Sequence, residues 1–572
     1  MTKFTPKLAA GIAAAVALAT AFTSAHAQQL TPLYAGGGTL AEKVYRDIYN
    51  QYGSTASQDT CSLSSNTGGG TLLSKFCAST PYNANVEVLY AGVGSGNGKK
   101  ALDSYSPSLY VSGPKKPDNP PVPSTRDFGP FYGLGTGPNW TPYTGATPNN
   151  VVNPYPKVTF SGSDDPLNSS DIATYNALTI KNVATNFGPL IQFPGLVVAV
   201  AIPFNPSGTS AHPWNPQGKL LSGGSSKVDL STNTICGIFT GAITDWSDPS
   251  ITKDNRGKQL GIGPITVVYR HDGSGTTFLM SNALLNQCGT TEPGAPVQSL
   301  HSIPAAWLTA AVQGGTAITY SPTTTPTAGH YYSNDNFFIN VYNASLLPSN
   351  FYNDNGGFSG VTGGANGSAG VQQVVDATTG AVGYISPDFV QPITTGSDAK
   401  GNPLAAAANI QTYASFSAGT TAVYVPPAAK YGNFIMLSAV PPAFTGSPVP
   451  ADNPLNWGEV NPTPSSASAY PIGGFTFIDL YSCYADQATV NALVNVPSAK
   501  NADKLYGLFS WYYGTTTVNG GIPATTLADN GFSPVPVAWG AAIKKLLLTN
   551  VATKVGVANQ PKTACASVAD GA

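Results

Sequence analysis

The chain has 572 residues, of which 42% are hydrophobic and only 9% charged, with 62 glycines and 48 prolines. Average globular chains carry about 25% charge, so this composition describes a loop-rich protein of several domains and excludes a disordered one, which would couple low hydrophobicity to high charge. The formal net charge is −2 and no basic stripe occurs, which excludes a nucleic-acid binder and leaves any anion to be held by local geometry.

Along the chain, a leader comes first. Lys3 and Lys7 precede an apolar run from Leu8 to Phe22, and Ala25-His26-Ala27 supplies small residues around a cut expected after about Ala27. No cysteine stands at the cut and no later stretch is apolar enough to span a bilayer, so an exported protein without a stable membrane anchor is expected, periplasmic or secreted. Leu33 to Ala35 reads as a strand. It meets the corner Gly36-Gly37-Gly38-Thr39, and a helix follows with Leu40, Val44, Tyr45, Ile48 and Tyr52 at helical spacing, ended by Gly53. Val86 to Ala91 is a second strand, leading through Gly92-Val93-Gly94-Ser95-Gly96 into another helix. Residues 106–157 are rich in Pro, Gly and Asn and read as an insertion. Val158 to Phe160 is a short strand ending at Ser161-Gly162-Ser163-Asp164.

In the second half, Leu196 to Ile202 is an apolar strand and Ser231 to Ile243 a helix. Ile265 to Tyr269 is a strand that runs into Arg270-His271-Asp272-Gly273-Ser274-Gly275-Thr276-Thr277, followed by a helix through Leu279, Met280, Ala283 and Leu284. Segments 315–367 and 440–468 read as loops, Val374 to Pro387 as a strand region and 471–482 as a late strand. The remainder is expected to be mostly helical. Strands alternating with helices predict an α/β fold, and no repeat of fixed period occurs.

Cysteines at 61, 77, 236, 288, 483 and 565 form an even set in an exported chain, which predicts three disulfides, but spacing leaves fifteen pairings open. None lies in a CxxC pair, and His212, His271, His301 and His330 form no HExxH pattern, so no metal site and no cofactor is implied.

Three corners share one form: strand, glycine, Ser or Thr, helix. They centre on Thr39, Ser95 and Ser274/Thr276. A helix start offers unpaired N–H groups and partial positive charge, hydroxyls add donors, and glycine lets the main chain come close. Arg270 can offer a paired set of N–H donors to the same oxyanion. Two look-alikes fail. Gly94 to Lys100 lacks both the leading glycine and the Ser or Thr of a phosphate-binding P-loop, and no GxSxG elbow is present.

Four stretches, in this order, resemble the phosphate-binding proteins of bacterial phosphate ABC transporters: Gly36-Gly-Gly-Thr39-Leu40, Gly92-Val-Gly-Ser95, Phe160-Ser-Gly-Ser-Asp164-Asp-Pro-Leu167, and Val268-Tyr-Arg270-His-Asp272-Gly-Ser274-Gly-Thr276-Thr-Phe278. Leu196 to Pro203 and Tyr470 to Phe477 look like that family's crossover and return strands. Within it the chain is most similar to the secreted DING subgroup, on Gly92 to Lys99, Ile235-Cys236-Gly-Ile-Phe239, Cys288 to Gly294 and Tyr384-Ile-Ser-Pro-Asp-Phe389. The segment near 100–157 and the loops near 320–365 and 440–468 are longer than in ordinary members.

The resemblance implies a type II periplasmic-binding-protein fold. It would have a first lobe of about 28–195 plus 475–572, a second of about 196–474, and a ligand cleft between them. It implies inorganic phosphate as ligand, an inner-membrane ABC permease as possible partner, and no catalytic residues. Thr39, Leu40 and Ser95 would donate to phosphate, Arg270 would pair with it and be held by Asp272, and Ser274, Gly275 and Thr276 would cradle it. Asp164 would accept a hydrogen bond from the proton that phosphate carries and sulfate lacks. The resemblance also implies the pairs Cys236–Cys288 and Cys483–Cys565, leaving Cys61 with Cys77. Two other readings stand beside it: a secreted phosphatase with His271 as the candidate base, and an adhesion or matrix protein that keeps the fold.

Overall fold

The computed structural model describes residues 30–54, 81–110, 157–178, 187–205, 228–270, 272–289, 299–307, 347–352, 365, 367–391, 405–428, 452–458, 463–464, 466–498, 504–514, 524–553 and 565. The expected leader, Cys61, Cys77, His271 and most of the expected loop insertions lie outside the described residues.

In chain order the strands that position the site are β1 (Thr31–Gly37), β2 (Gly53–Ser54), β3 (Asn83–Gly92), β4 (Phe160–Ser163), β5 (Leu190–Ala199), β6 (Pro203–Phe204), β7 (Thr266–Val268), β8 (Ala381–Gly383), β9 (Val390–Gln391), β10 (Ala405–Ala407), β11 (Gly473–Tyr481) and β12 (Phe532–Pro534). The corresponding helices are α1 (Glu42–Tyr52), α2 (Ser95–Asp103), α3 (Ser169–Asn176), α4 (Thr232–Phe239), α5 (Gly275–Cys288) and α6 (Gly367–Ala377). One seven-stranded sheet runs β12-β5-β11-β4-β1-β3-β2 and a five-stranded sheet runs β9-β10-β6-β8-β7. The strands β4, β1 and β3 are parallel, whereas β11 is antiparallel to both β4 and β5. The architecture is the expected α/β one, with helices packed around two mixed sheets.

The large sheet is covered on both faces, as its composition demands. Every residue of β5 and of β11 is buried. Helix α1 presents Val44, Tyr45, Ile48 and Tyr52 inward, all fully buried, and an aliphatic side chain so placed contributes about 1.5–3 kcal/mol. The two sheets are joined by neighbouring crossover segments. Beyond β5, the Val200 N–H donates to the Ile472 carbonyl just ahead of β11 at 2.8 Å, and Ala201 bridges to Ile385 of the second sheet's surroundings.

Three expected elements differ. The strand expected at Leu196 to Ile202 spans Leu190–Ala199 instead, passing through Pro194 and Gly195. It continues because the β5–β11 register shifts there, and the Leu196 N–H is taken by the Thr476 hydroxyl at 3.0 Å. The helix expected to reach Ile243 ends at Phe239. The chain then folds back, the Ile243 N–H donating to the Gly237 carbonyl at 2.9 Å, so Ile243 shares the helix's apolar face without belonging to it. The strand region expected from Val374 is the end of α6. Val371, Val374 and Val375 are spaced for one helical face and are buried, and only Ala381–Gly383 is strand.

Disulfides join Cys236 of α4 to Cys288 of α5, and Cys483 to Cys565. No helix among the described residues is long and apolar enough to cross a membrane.

Candidate functional site

The site begins with register. Gly37 at the end of β1 pairs with Gly92 of β3 on one side and Gly162 of β4 on the other, so three strand ends and the turns beyond them meet. Ligands of α/β sheets gather at such carboxyl ends. The approach leaves no room for side chains: a Cβ on Gly37 would lie 1.8 Å from the Gly162 carbonyl oxygen, and its φ of +137° suits glycine alone. The turns are tied together by the Gly38 N–H donating to the Gly162 carbonyl at 2.9 Å and by the Tyr90 hydroxyl donating to the Gly38 carbonyl at 3.0 Å. Ser95, first residue of α2, is bonded twice to Asp164. Its hydroxyl donates to Oδ2 at 3.1 Å and accepts the Asp164 N–H at 3.0 Å.

The other wall comes from the smaller sheet. Beyond β7, Arg270 is fully buried. Its Nε and Nη2 both donate to the Asp272 carboxylate, its Nη2 also donates to the Thr39 hydroxyl at 3.2 Å, and its Nη1 reaches the Thr276 hydroxyl at 3.5 Å. Asp272 is itself steadied by the Gly367 N–H at 3.2 Å. Ser274 caps α5, accepting the Thr277 N–H at 3.2 Å, which leaves the first turn of a 14-residue helix aimed at the opposite wall. Contact there is close: a Cβ on Gly275 would lie 2.3 Å from the Asp164 Cβ. The Gly96 N–H donates across to the Gly273 carbonyl at 3.2 Å. A second seam lies nearby, where the Ser386 hydroxyl donates to the Leu40 carbonyl at 2.6 Å. At the same seam Lys43 donates to the Asp388 carbonyl at 3.2 Å and sits 3.3 Å from the Phe389 ring centre.

Charge is arranged unequally. Burial pushes Asp164 up to about 7, and the neighbouring Asp165 carboxylate adds to it, against the opposing pull of Ser95, Arg270 and the Leu40 N–H. Among the described residues its Oδ1 is buried without a hydrogen-bond partner. Burial works to discharge Arg270, but Asp272 outweighs it and holds the guanidinium firmly charged. One buried cluster therefore holds a permanent cation, three hydroxyls, helix-start N–H groups and one acceptor oxygen with nothing to accept. That set suits a tetrahedral oxyanion carrying a proton. Among the described residues no group of His, Cys, Asp and Glu is placed to hold a metal.

The structure brings Thr39, Leu40, Ser95, Asp164, Arg270, Asp272, Ser274, Gly275 and Thr276 into this one cluster. Sequence reasoning missed the supports. The Tyr384 hydroxyl accepts the Arg270 N–H at 3.0 Å and bonds the Thr277 hydroxyl at 2.8 Å, and Arg270 is flanked by an isolated bridge to Ala365. The Gly383-Tyr384 pair is visible in the sequence, but nothing local says that its ring reaches a strand end 114 residues earlier.

A family model described as a PBP superfamily domain matches residues 50–436. A curated phosphate-binding protein from an unknown prokaryotic organism is 30% identical over 439 residues, which is 74% of this chain and 89% of that protein. A protein named alkaline phosphatase L from Pseudomonas aeruginosa is 28% identical over 438 residues, 74% of this chain and 84% of that protein. Among solved structures, a phosphate-binding protein from Stenotrophomonas maltophilia superimposes with a TM-score of 0.52 at 23% identity, covering 95% of this chain and 100% of that one, a likeness of fold.

Proposed function

The chain belongs to the phosphate-binding-protein family of the PBP superfamily, and from that premise we propose that it is an exported receptor that captures inorganic phosphate in the cleft between two lobes. The observation that carries this reading is the pairing of Arg270, charged and buried, with the unsatisfied Oδ1 of Asp164 in one cluster. Phosphate near neutral pH is an anion with a proton to give. Arg270, Thr39, Ser95, Thr276 and the main-chain N–H groups of Leu40, Gly275 and Thr276 supply donors, and the Asp164 carboxylate accepts the hydrogen bond from that proton. Sulfate offers the same oxygens with no proton, so a carboxylate in the ionised form repels it.

The lobes are about 28–195 plus 475–572 and about 196–474, a division favoured by the two separate sheets and by the paired crossover at Val200 and Ile472, with 196–199 and 473–474 completing strands of the large sheet. They close on the ligand by hinge motion. The protein acts in the periplasm or outside the cell after loss of its first 27 residues or so, and either delivers phosphate to an ABC permease or scavenges it.

Calorimetry on the mature protein, stripped of ligand, tests the reading. Tight phosphate binding with weak sulfate binding at pH 8 supports it, and absence of phosphate heat from folded protein overturns it. The name of the Pseudomonas aeruginosa relative favours a second reading, phosphatase activity in the same pocket. Release of phenol from a phosphate monoester by the same preparation, lost in Arg270→Ala, would establish that.

A further inference from the structure

Asp164 is followed by a second carboxylate, Asp165, and both are 1% exposed. Helix α2 serves the two in parallel. Ser95 bonds Asp164, and Lys99, one turn further along, forms an ion pair with Asp165. The ammonium is anchored away from the ligand by further bonds to Asp171 at 3.1 Å and to the Pro166 carbonyl at 3.4 Å. Asp165 is held from its own segment as well, by the Ser163 hydroxyl at 3.0 Å. The helix thus gives a neutral partner to the carboxylate with the unsatisfied oxygen and the charged partner to the one behind it.

We propose that Asp165, fixed by Lys99, is a specificity-determining residue that sets how strictly the pocket rejects oxyanions lacking a proton. This rests on the reading of the cleft as a phosphate site. An ionised Asp164 excludes such anions, whereas a protonated Asp164 becomes a donor and admits them. The negative charge of Asp165 favours the proton on Asp164. Among the described residues, the other groups that face Asp164 are these. Arg270 approaches from beyond β7 and opposes Asp165, as do the Ser95 hydroxyl and the Leu40 N–H. Tyr45 of α1 and Tyr90 of β3 are buried phenols held above their ordinary range. Behind Asp165 stand Lys99, Asp171, Asp103 and Asp479, grouped around the same ammonium. Burial would discharge Lys99, but Asp165 and Asp171 outweigh it.

The test is the pH profile of discrimination, with phosphate and sulfate titrated calorimetrically from pH 5.5 to 8.5. Asp165→Asn keeps an oxygen for Ser163 and Lys99, and Asp165→Ser serves if the amide variant melts early. Phosphate binding at pH 8 is expected to persist in the variant, while the pH at which sulfate is shut out falls, weakening sulfate binding near pH 6 several-fold. A profile that does not move in a folded variant overturns the inference, even where both anions bind more weakly, because that marks a structural role only. Failure of the unaltered protein to bind phosphate at pH 8 overturns the receptor reading itself.

Discussion

Arg270 and Thr39 lie 231 residues apart, yet the guanidinium donates to the hydroxyl at 3.2 Å, joining a strand end of the small sheet to a strand end of the large one. The same guanidinium is clamped by Asp272, so its position is settled before any ligand arrives. Arg270→Ala is expected to remove phosphate binding. Loss of one member of a buried, charged hydrogen-bonded pair costs about 2–5 kcal/mol, roughly 30-fold to several-thousand-fold in affinity. Calorimetry reads the loss, and a variant with unaltered affinity would contradict the assignment of the pocket.

Asp164→Asn replaces an acceptor with a group that also donates. Phosphate affinity is expected to fall, because a neutral amide oxygen accepts the hydrogen bond from the phosphate proton more weakly than a carboxylate does, and sulfate affinity to rise, because the repelling charge is gone. The quantity to follow is the ratio of the two constants at pH 8. A ratio that stays put removes Asp164 from its role.

Gly275→Ala isolates closure from folding. Alanine suits the first position of a helix, and the clash of its Cβ with Asp164 arises only where the two walls meet. Overpacking costs about 1–3 kcal/mol, roughly 5- to 150-fold in affinity. The ligand-free melting temperature should hold while phosphate binding weakens by that factor. A fall in both together would show that the walls are already closed without ligand.

Stability should fall as pH rises. Burial holds Asp103 up at about 8, Asp164 at about 7 and Asp388 at about 6, all above the ordinary 3.8. Each binds its proton more tightly folded than unfolded. Its contribution is therefore complete below pH 4 and is lost as pH climbs to the folded value. The ligand-free protein is expected to melt lower at pH 8 than at pH 5. Asp103→Asn should recover part of the loss at pH 8, read as a higher melting temperature than that of the unaltered protein at the same pH. Thermal scans across that range decide it.

What the sequence showed of the site follows from where its parts come from. Gly37, Thr39, Ser95, Asp164, Ser274 and Gly275 sit at strand-to-helix corners, and the demands of such corners are local, so composition at the corner betrays them. Val371 and Val375 of α6 were harder to read because valine favours strands, and only their spacing on a buried face makes the helix. The start of β5 was hidden for another reason: the extra residue that carries the strand past Pro194 and Gly195 shows only in its register, where Phe475 of β11 faces Val197 and Phe477 faces Pro194. Tyr384 and Ser386 stood out only as part of a family-like stretch, and Lys43 not at all, because their contacts join segments that only the folded topology brings together.

The seam at Leu40 also bears on time. Its N–H faces Asp164 while its carbonyl is taken by Ser386, and Lys43 grips Phe389 one turn on. Ser95, Asp164, Arg270 and Thr276 are all at 1% exposure or less, so on the receptor reading an anion held among them leaves through an opening of walls that this seam helps to hold. Departure is then an opening event, and the dwell of a captured anion is governed by contacts that never touch it. Loosening Ser386 or Lys43 would shorten that dwell while every group that grips the ligand stayed in place.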